Sequence, residues 1–256
     1  MAPQNASNQL NITVFRGWKN TGKYVWSPYV NKVEARLRFA GVKYTTEAGS
    51  LKTAPKGKIP YIECRGVSSL TASTVHGQSP EGGILLGDSA LIAKTLTEGG
   101  ILPDLNGALD PGWERWVQNY YTMRDNVLWS IPYPLRVVIG LIVYRKNVAM
   151  FHGQGTGRFT VEEIGEFRRE IWEGINALLE VSRSSSKSSS DKRPFWALGG
   201  GQPTEADTSL FGFIVSALIC TAGPDSQKEV RGFPILLDYA ERIHNTYFPD
   251  YEKWET

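Results

Sequence analysis

Residues 26–41 read WSPYVNKVEARLRFAG, and the parsing of the whole chain turns on this stretch. Val30, Val33, Leu37 and Ala40 recur at spacings of three and four, the period of one helical face. Pro28 suits the first turn of a helix, where a backbone N–H has no helical partner to lose. Ser27 precedes it at the N-cap position, and Gly41 supplies the left-handed residue that stops a helix. Upstream, Ile12-Thr13-Val14-Phe15 has the β-branched and aromatic content of a strand. Downstream come a short strand around Lys43 to Glu47 and two strands of a hairpin, Ile59 to Glu63 and Ile84 to Leu86. Asp88 or Ser89 then caps a helix running to about Thr97. The order over the first hundred residues is β-α-β-β-β-α, an α/β unit.

From Pro111 onward the pattern is helical only. Trp113, Trp116, Val117, Tyr120, Tyr121 and Arg124 share one face of a long helix, and Pro134 opens a second. Thr160 with Glu163 forms a capping box before Ile164, Phe167, Ile171, Ile175 and Leu178. Thr204 with Asp207 makes a similar start before Leu210, Phe211, Ile214 and Leu218, and Pro234 to Tyr247 supplies a final helix. A Gly/Pro-rich connection near Gly99 to Asp110 separates an α/β domain, residues 10–100, from an all-α domain, residues 108–250. Two polar insertions interrupt this plan, Arg65 to Gly83 and the serine-rich Arg183 to Arg193.

Three short motifs carry the chemistry, and their order matters more than any one alone. Ser27-Pro28-Tyr29-Val30 opens the first helix and has the form of the glutaredoxin Cys-Pro-Tyr-Cys site, with Ser27 and Val30 in place of the cysteines. Gly57-Lys58-Ile59-Pro60 immediately precedes a strand. Gly87-Asp88-Ser89 follows the hairpin at the start of a helix. With the helical second half and the run Thr204 to Leu210, these motifs resemble the glutathione-transferase superfamily over most of the chain. The long approach to Ser27 resembles its failed-axon-connections and metaxin-like branch.

The resemblance implies a thioredoxin-like domain packed on a helical one, with Pro60 in the cis form. It implies that the Ile59 backbone pairs with the cysteinyl unit of glutathione and that Asp88 and Ser89 grip its γ-glutamyl end. The physical demands of the ligand agree with this. An extended anionic tripeptide needs backbone pairing at its centre, and a helix N-terminus with a hydroxyl suits a carboxylate. Lys58, and Lys52 beside it, suit the glycyl carboxylate. The Ser27 hydroxyl and the helix N-terminus behind it can hold a thiolate, since such sites lower thiol pKa values from ~8.5 to roughly 3.5–7.5. Tyr24, Trp26 and Tyr29 are rivals for that contact, because the segment Lys19 to Trp26 is long enough to bring in a phenol. The aromatic face with Trp116, Tyr120, Tyr121 and Arg124 is core by default; in this superfamily it borders the pocket of a second, hydrophobic electrophile. Homodimers are common there as well, although no feature of this sequence specifies one.

Other chemistries are less well supported. Without cysteine at positions 27 and 30, thiol exchange at that site has no nucleophile. Gly17-Trp18-Lys19-Asn20-Thr21-Gly22-Lys23 fits part of a P-loop, but Tyr24 stands where Ser or Thr would hold Mg²⁺. His76, His152 and His244 are scattered, so no metal is expected. Lys plus Arg is 28 against 26 for Asp plus Glu, which gives no lead toward nucleic acid. Cys64 and Cys220 lie among apolar residues and read as buried, reduced thiols. The first residues lack an apolar signal core, and Val137 to Tyr144 is far shorter than the roughly 20 residues of a membrane span. The expected location is therefore cytoplasmic. The leading expectation is a glutathione transferase, or a glutathione-dependent cis-trans isomerase in natural-product chemistry. The runner-up is a non-catalytic binding or import protein like the metaxins.

Overall fold

The computed structural model describes residues 10–55, 57–66, 77–80, 82–103, 158–185 and 193–255, with isolated positions at 105 and between 132 and 153. The front half contains β1 (Asn11–Phe15), α1 (Pro28–Phe39), β2 (Thr45–Glu47), β3 (Tyr61–Arg65), β4 (Gly77–Gln78), β5 (Ile84–Gly87) and α2 (Ser89–Glu98). The strands form one sheet in the order β2-β1-β3-β5-β4, with β1 and β2 parallel and the remaining pairs antiparallel. This is a thioredoxin-like α/β unit. Further on the described elements are all helical: α3 (Val161–Ser185), α4 (Glu205–Ile219), α5 (Pro224–Arg231) and α6 (Pro234–Tyr247).

Local signals set most boundaries. Helix α1 begins at Pro28 and gives way to Gly41 at φ 68°. Thr160 and Glu163 exchange both capping bonds, Glu163 N donating to the Thr160 hydroxyl at 3.2 Å and Thr160 N to the Glu163 carboxylate at 2.7 Å. Asp207 does more than cap α4. One carboxylate oxygen accepts from Thr204 N and the Thr204 hydroxyl, and the other from Ala197 N and the Tyr239 hydroxyl, all at 2.7 Å. It thus joins α4, α6 and the chain entering α4 at a fully buried point.

Three elements depart from expectation. The polar insertion after β3 contributes β4, whose pairing with β5 follows from backbone groups that any sequence carries. Helix α5 was not foreseen, because its eight residues, PDSQKEVR, bury only Val230. On α3 the packed face is Trp172, Ile175 and Leu179, whereas Phe167, Ile171 and Leu178 are exposed. The helix has more than one apolar stripe, and packing selects between them. The predicted helix at Trp113 lies outside the described residues, as does most of the one opened by Pro134, whose described positions from 135 to 153 are helical.

Helix α1 is covered on two sides. Val33 and Leu37 join Ile12, Val14, Ile62, Leu86, Ile92 and Leu96 in the core under the sheet. Ala35 and Phe39 meet a second core built on Phe211, Val215, Leu236, Tyr239 and Phe248. Helix α4 crosses α1 so closely that a Cβ on Gly212 would stand 2.7 Å from the Pro28 carbonyl oxygen and 2.9 Å from Lys32 N. Both obstacles are backbone, so neither can rotate away.

Replacing Gly212 with Ala should lower stability by about 1–3 kcal/mol through forced separation of α1 and α4, read by denaturant unfolding. Gly174→Ala on α3, where no atom stands within 4 Å of the added methyl, should instead be neutral or stabilising by up to about 1 kcal/mol. Burial pushes the Cys64 thiol up to about 12 and also raises that of Cys220. Neither should react with a thiol reagent at pH 8 until the protein unfolds, as counted by absorbance in native and denaturing buffer.

Candidate functional site

Register brings the three motifs together. Tyr61 on β3 pairs with Phe15 on one side and Gly87 on the other. The chain leaving β1, the Ile59-Pro60 entry to β3, and Asp88-Ser89 after β5 therefore all lie at one end of the sheet. Adjacent strands stand about 4.8 Å apart, so the three segments span roughly 10 Å. Because β1, α1 and β2 form a parallel crossover, the N-terminus of α1 returns to this same end.

Ser27 is the N-cap of α1, at φ −76° and ψ 112°. Its carbonyl accepts from Val30 N and Asn31 N at 3.1 and 3.2 Å, while its hydroxyl makes no capping bond. A capping serine commonly spends its hydroxyl on the helix; here the half-buried hydroxyl is not used in that way. The Ile59-Pro60 bond is cis, as the resemblance implied, with Ile59 half-buried and Pro60 buried. Gly17, at φ 80°, lies against this turn, and a Cβ there would come within 2.9 Å of Ile59 Cδ1. Only glycine combines that backbone with that contact.

Asp88 has φ 75° and ψ 123°, the one positive-φ non-glycine among the described residues. Such a conformation costs on the order of 1–3 kcal/mol and is characteristic of functional sites. One carboxylate oxygen accepts from Ala90 N at 3.0 Å and, more weakly, from Leu91 N at 3.5 Å. The Asp88 carboxylate is thus partly engaged in capping α2, with its second oxygen outside the cap. Ser89 is buried in the first turn, and Lys52 and Lys58 are exposed on the loop between β2 and β3.

Tyr24 does not join these residues. Its ring is buried among Phe211, Phe248, Tyr251 and Trp254, and its hydroxyl lies 2.7 Å from His244 Nδ1. Burial raises its phenol pKa well above the ordinary value. The expectation that Tyr24 reaches the site is therefore corrected: the length of the segment is used to carry an aromatic side chain into the core. Tyr29, another rival, stacks edge-on with Phe213 of α4 at 5.9 Å. Trp116, Tyr120, Tyr121 and Arg124 lie outside the described residues. Among the described residues no cluster of side chains suited to a metal occurs, and no single helix is long and apolar enough to cross a membrane.

Residues that the sequence reading passed over hold Ser27 in place. Asn31 closes the turn around it, accepting from Val25 N at 3.2 Å and donating to Val25 O at 2.7 Å, and it also donates to the Ser216 hydroxyl of α4 at 2.8 Å. Arg16, at the end of β1, is 1% exposed and lies 3.0 Å from the buried Glu34 carboxylate. Burial pushes the Glu34 carboxyl up to about 6, against the opposing pull of Arg16 and a hydrogen bond from Tyr251. The available signal was three polar residues, Asn31, Glu34 and Arg36, on a helix buried nearly all round.

Residues 28–129 match the family model described as Glutathione S-transferase N-terminal domain. The chain is 26% identical to an isoprene-epoxide–glutathione S-transferase from Rhodococcus sp. (strain AD45), over 86% of this chain and 92% of that protein. It is 23% identical to Failed axon connections from Drosophila melanogaster, over 89% of this chain and 56% of that longer protein. Among solved structures it is similar to a maleylacetoacetate isomerase from Anaeromyxobacter dehalogenans, with 15% identity, a TM-score of 0.41, and coverage of 97% and 95% of the two chains. The likeness to glutathione S-transferases thus lies in the domain match over residues 28–129 and in the first relative, which is similar over most of both chains.

Substituting Asn31 with Ala leaves Val25 N without its partner, and leaves Val25 O and the Ser216 hydroxyl with only the long 3.5 Å bond to each other. Stability should fall by about 2–3 kcal/mol, since each buried group left unsatisfied costs about 1–3 kcal/mol and some will find water. Ser216→Ala should cost less than half as much in the same urea titration.

Proposed function

We propose that the chain is a glutathione-dependent transferase that ionises the glutathione thiol at Ser27 and directs it to a hydrophobic electrophile. The observation that carries this reading is the Ser27 hydroxyl, unspent on its own helix, at the same sheet end as Ile59 and Asp88-Ser89. The likeness to an isoprene-epoxide–glutathione S-transferase supports both the co-substrate and the electrophile class.

Each residue has a defined task in this reading. The Ile59 backbone pairs with the cysteinyl unit of the tripeptide and sets its direction. The first turn of α2, with Ser89, receives the γ-glutamyl carboxylate at the positive end of the helix dipole. The Asp88 oxygen not engaged in the cap takes the ammonium, and Lys58 takes the glycyl carboxylate. Sulfur then lies at the N-terminus of α1, where the Ser27 hydroxyl donates to it. The thiol proton leaves to solvent, and the retained electron pair forms the C–S bond with an electron-poor carbon. With an epoxide, the C–O bond breaks and the alkoxide takes a proton. With a conjugated double bond, the same addition followed by rotation and expulsion of the thiolate gives cis-trans isomerisation. The cytoplasm suits such an enzyme because thiols remain reduced there.

Calorimetric titration with glutathione should show saturable binding, and no heat at millimolar glutathione would support the non-catalytic, metaxin-like reading instead. Ser27→Ala should retain binding but raise the pKa of the bound thiol. Each unit of that rise costs about 1.4 kcal/mol of thiolate stabilisation, or about tenfold in rate with a model epoxide below the pKa. Unchanged activity in Ser27→Ala would remove Ser27 from the role.

A further inference from the structure

We propose that Arg16 and residues 250–254 form a clamp that positions the loop presenting Ser27, so that this remote segment governs how well the site ionises a thiol. The inference rests on the glutathione reading above and adds positioning residues that contact neither the tripeptide nor sulfur. The loop from Gly17 to Trp26 has no helix or strand of its own apart from one isolated bridge. A segment of that kind is fixed only by what is attached to it.

The attachments come from three directions. From the β1 side, the Arg16 guanidinium donates to Asn20 O at 2.5 Å and to Lys23 O, bracketing the loop by its own carbonyls. From α1, Glu34 meets Arg16 and also accepts the Tyr251 hydroxyl at 3.0 Å. From the far end of the chain, Glu252 N donates to Gly22 O at 2.8 Å, and Lys23 and Glu252 pair as a parallel bridge. Asp250 is held in turn by both terminal nitrogens of Arg38, at 2.5 and 2.8 Å, while Arg38 also donates to Tyr247 O. The rings of Tyr251 and Trp254 close on Tyr24 at 5.3 and 5.9 Å. Residues 250–254 are thereby fastened to α1 and α6 and lie along the loop as a strap.

The type of contact matters. Apolar packing fixes area but tolerates sliding, whereas a forked guanidinium and a carboxylate fix position and direction. Burying such charges costs several kcal/mol in desolvation, and here they concentrate on the loop that ends at Ser27. A hydroxyl that stabilises sulfur is useful only at hydrogen-bond distance, and an error of 1 Å in placement can cost about a hundredfold.

The test uses the full chain with Tyr251→Phe, Asp250→Asn and Arg16→Lys. Each is assayed for melting temperature, glutathione affinity, kcat and KM with an epoxide, and the pH midpoint of bound-thiolate absorbance. Tyr251→Phe and Asp250→Asn should raise that midpoint and lower kcat about tenfold, with little change in the KM for glutathione, because Ile59, Ser89 and Lys58 still hold the tripeptide. Arg16→Lys keeps the charge but loses the fork and should show the largest shift; should it fail to fold, the other two variants decide. Ile235→Val, a mild core change away from the loop, should leave the midpoint unchanged. Folded variants that bind glutathione with the wild-type midpoint overturn this proposal alone. A wild-type protein that binds no glutathione overturns both this proposal and the function beneath it.

Discussion

The crossing of α1 and α4 at Gly212 is the contact on which the rest of the arrangement depends. With hydrogen in place of a side chain, the α4 backbone comes against the Pro28 carbonyl and Lys32 N. That proximity fixes α1 against the helical region by backbone contact, with no side-chain layer to give way. It also fixes the first residues of α1, including Ser27, more tightly than a layer of leucines would. The sheet core under Val33 and Leu37 and the helical core over Ala35 and Phe39 then close on the two sides of one helix.

A helix held between two cores has little water to solvate polar side chains, so its polar residues turn to protein partners, although Glu34 Oε2 and Arg36 Nη1 are left without one among the described residues. Asn31 turns to the backbone of Val25 and to Ser216, Arg36 to Glu205 and the Pro103 carbonyl, and Glu34 to Arg16 and Tyr251. These partners come from the loop before the helix, from the segment that follows α2, from α4 and from residues near 250. Polar groups on one helix thereby specify where four distant segments must sit. Site geometry and domain packing are coupled here, because the residues that tie the halves together also shape the turn at Ser27.

Much of the fold could be read from the residues because the signals were local. Ser27-Pro28 and Gly41 bound α1, Thr160 with Glu163 caps α3, and Pro234 opens α6; each rests on backbone chemistry within a few residues. The motif order Ser27, Ile59-Pro60, Asp88-Ser89 was likewise legible, since each motif follows or precedes a strand whose pattern is clear. Less was legible where the deciding partner is remote in sequence. Tyr24 and His244 are 220 residues apart, and nothing near Tyr24 tells a phenol destined for the core from one facing a ligand. Helix α5 and strand β4 carry weak local patterns and exist because neighbouring elements offer them backbone or apolar partners.

The sequence by itself determined that an α/β unit precedes helices, that a serine stands at the start of the first helix, and that thiol exchange at that position has no nucleophile. Those conclusions follow from side-chain chemistry and short-range periodicity, which do not depend on where the chain goes next. Only the tertiary structure decided that the Ser27 hydroxyl is not used as a cap, that Tyr24 belongs to the core, and that Asp88 adopts a strained backbone while capping α2. It alone brought Arg16, Asn31 and Tyr251 to the loop before Ser27. The physical reason is that burial and hydrogen-bond partnership are properties of surroundings, and for these residues the surroundings are assembled from both ends of the chain.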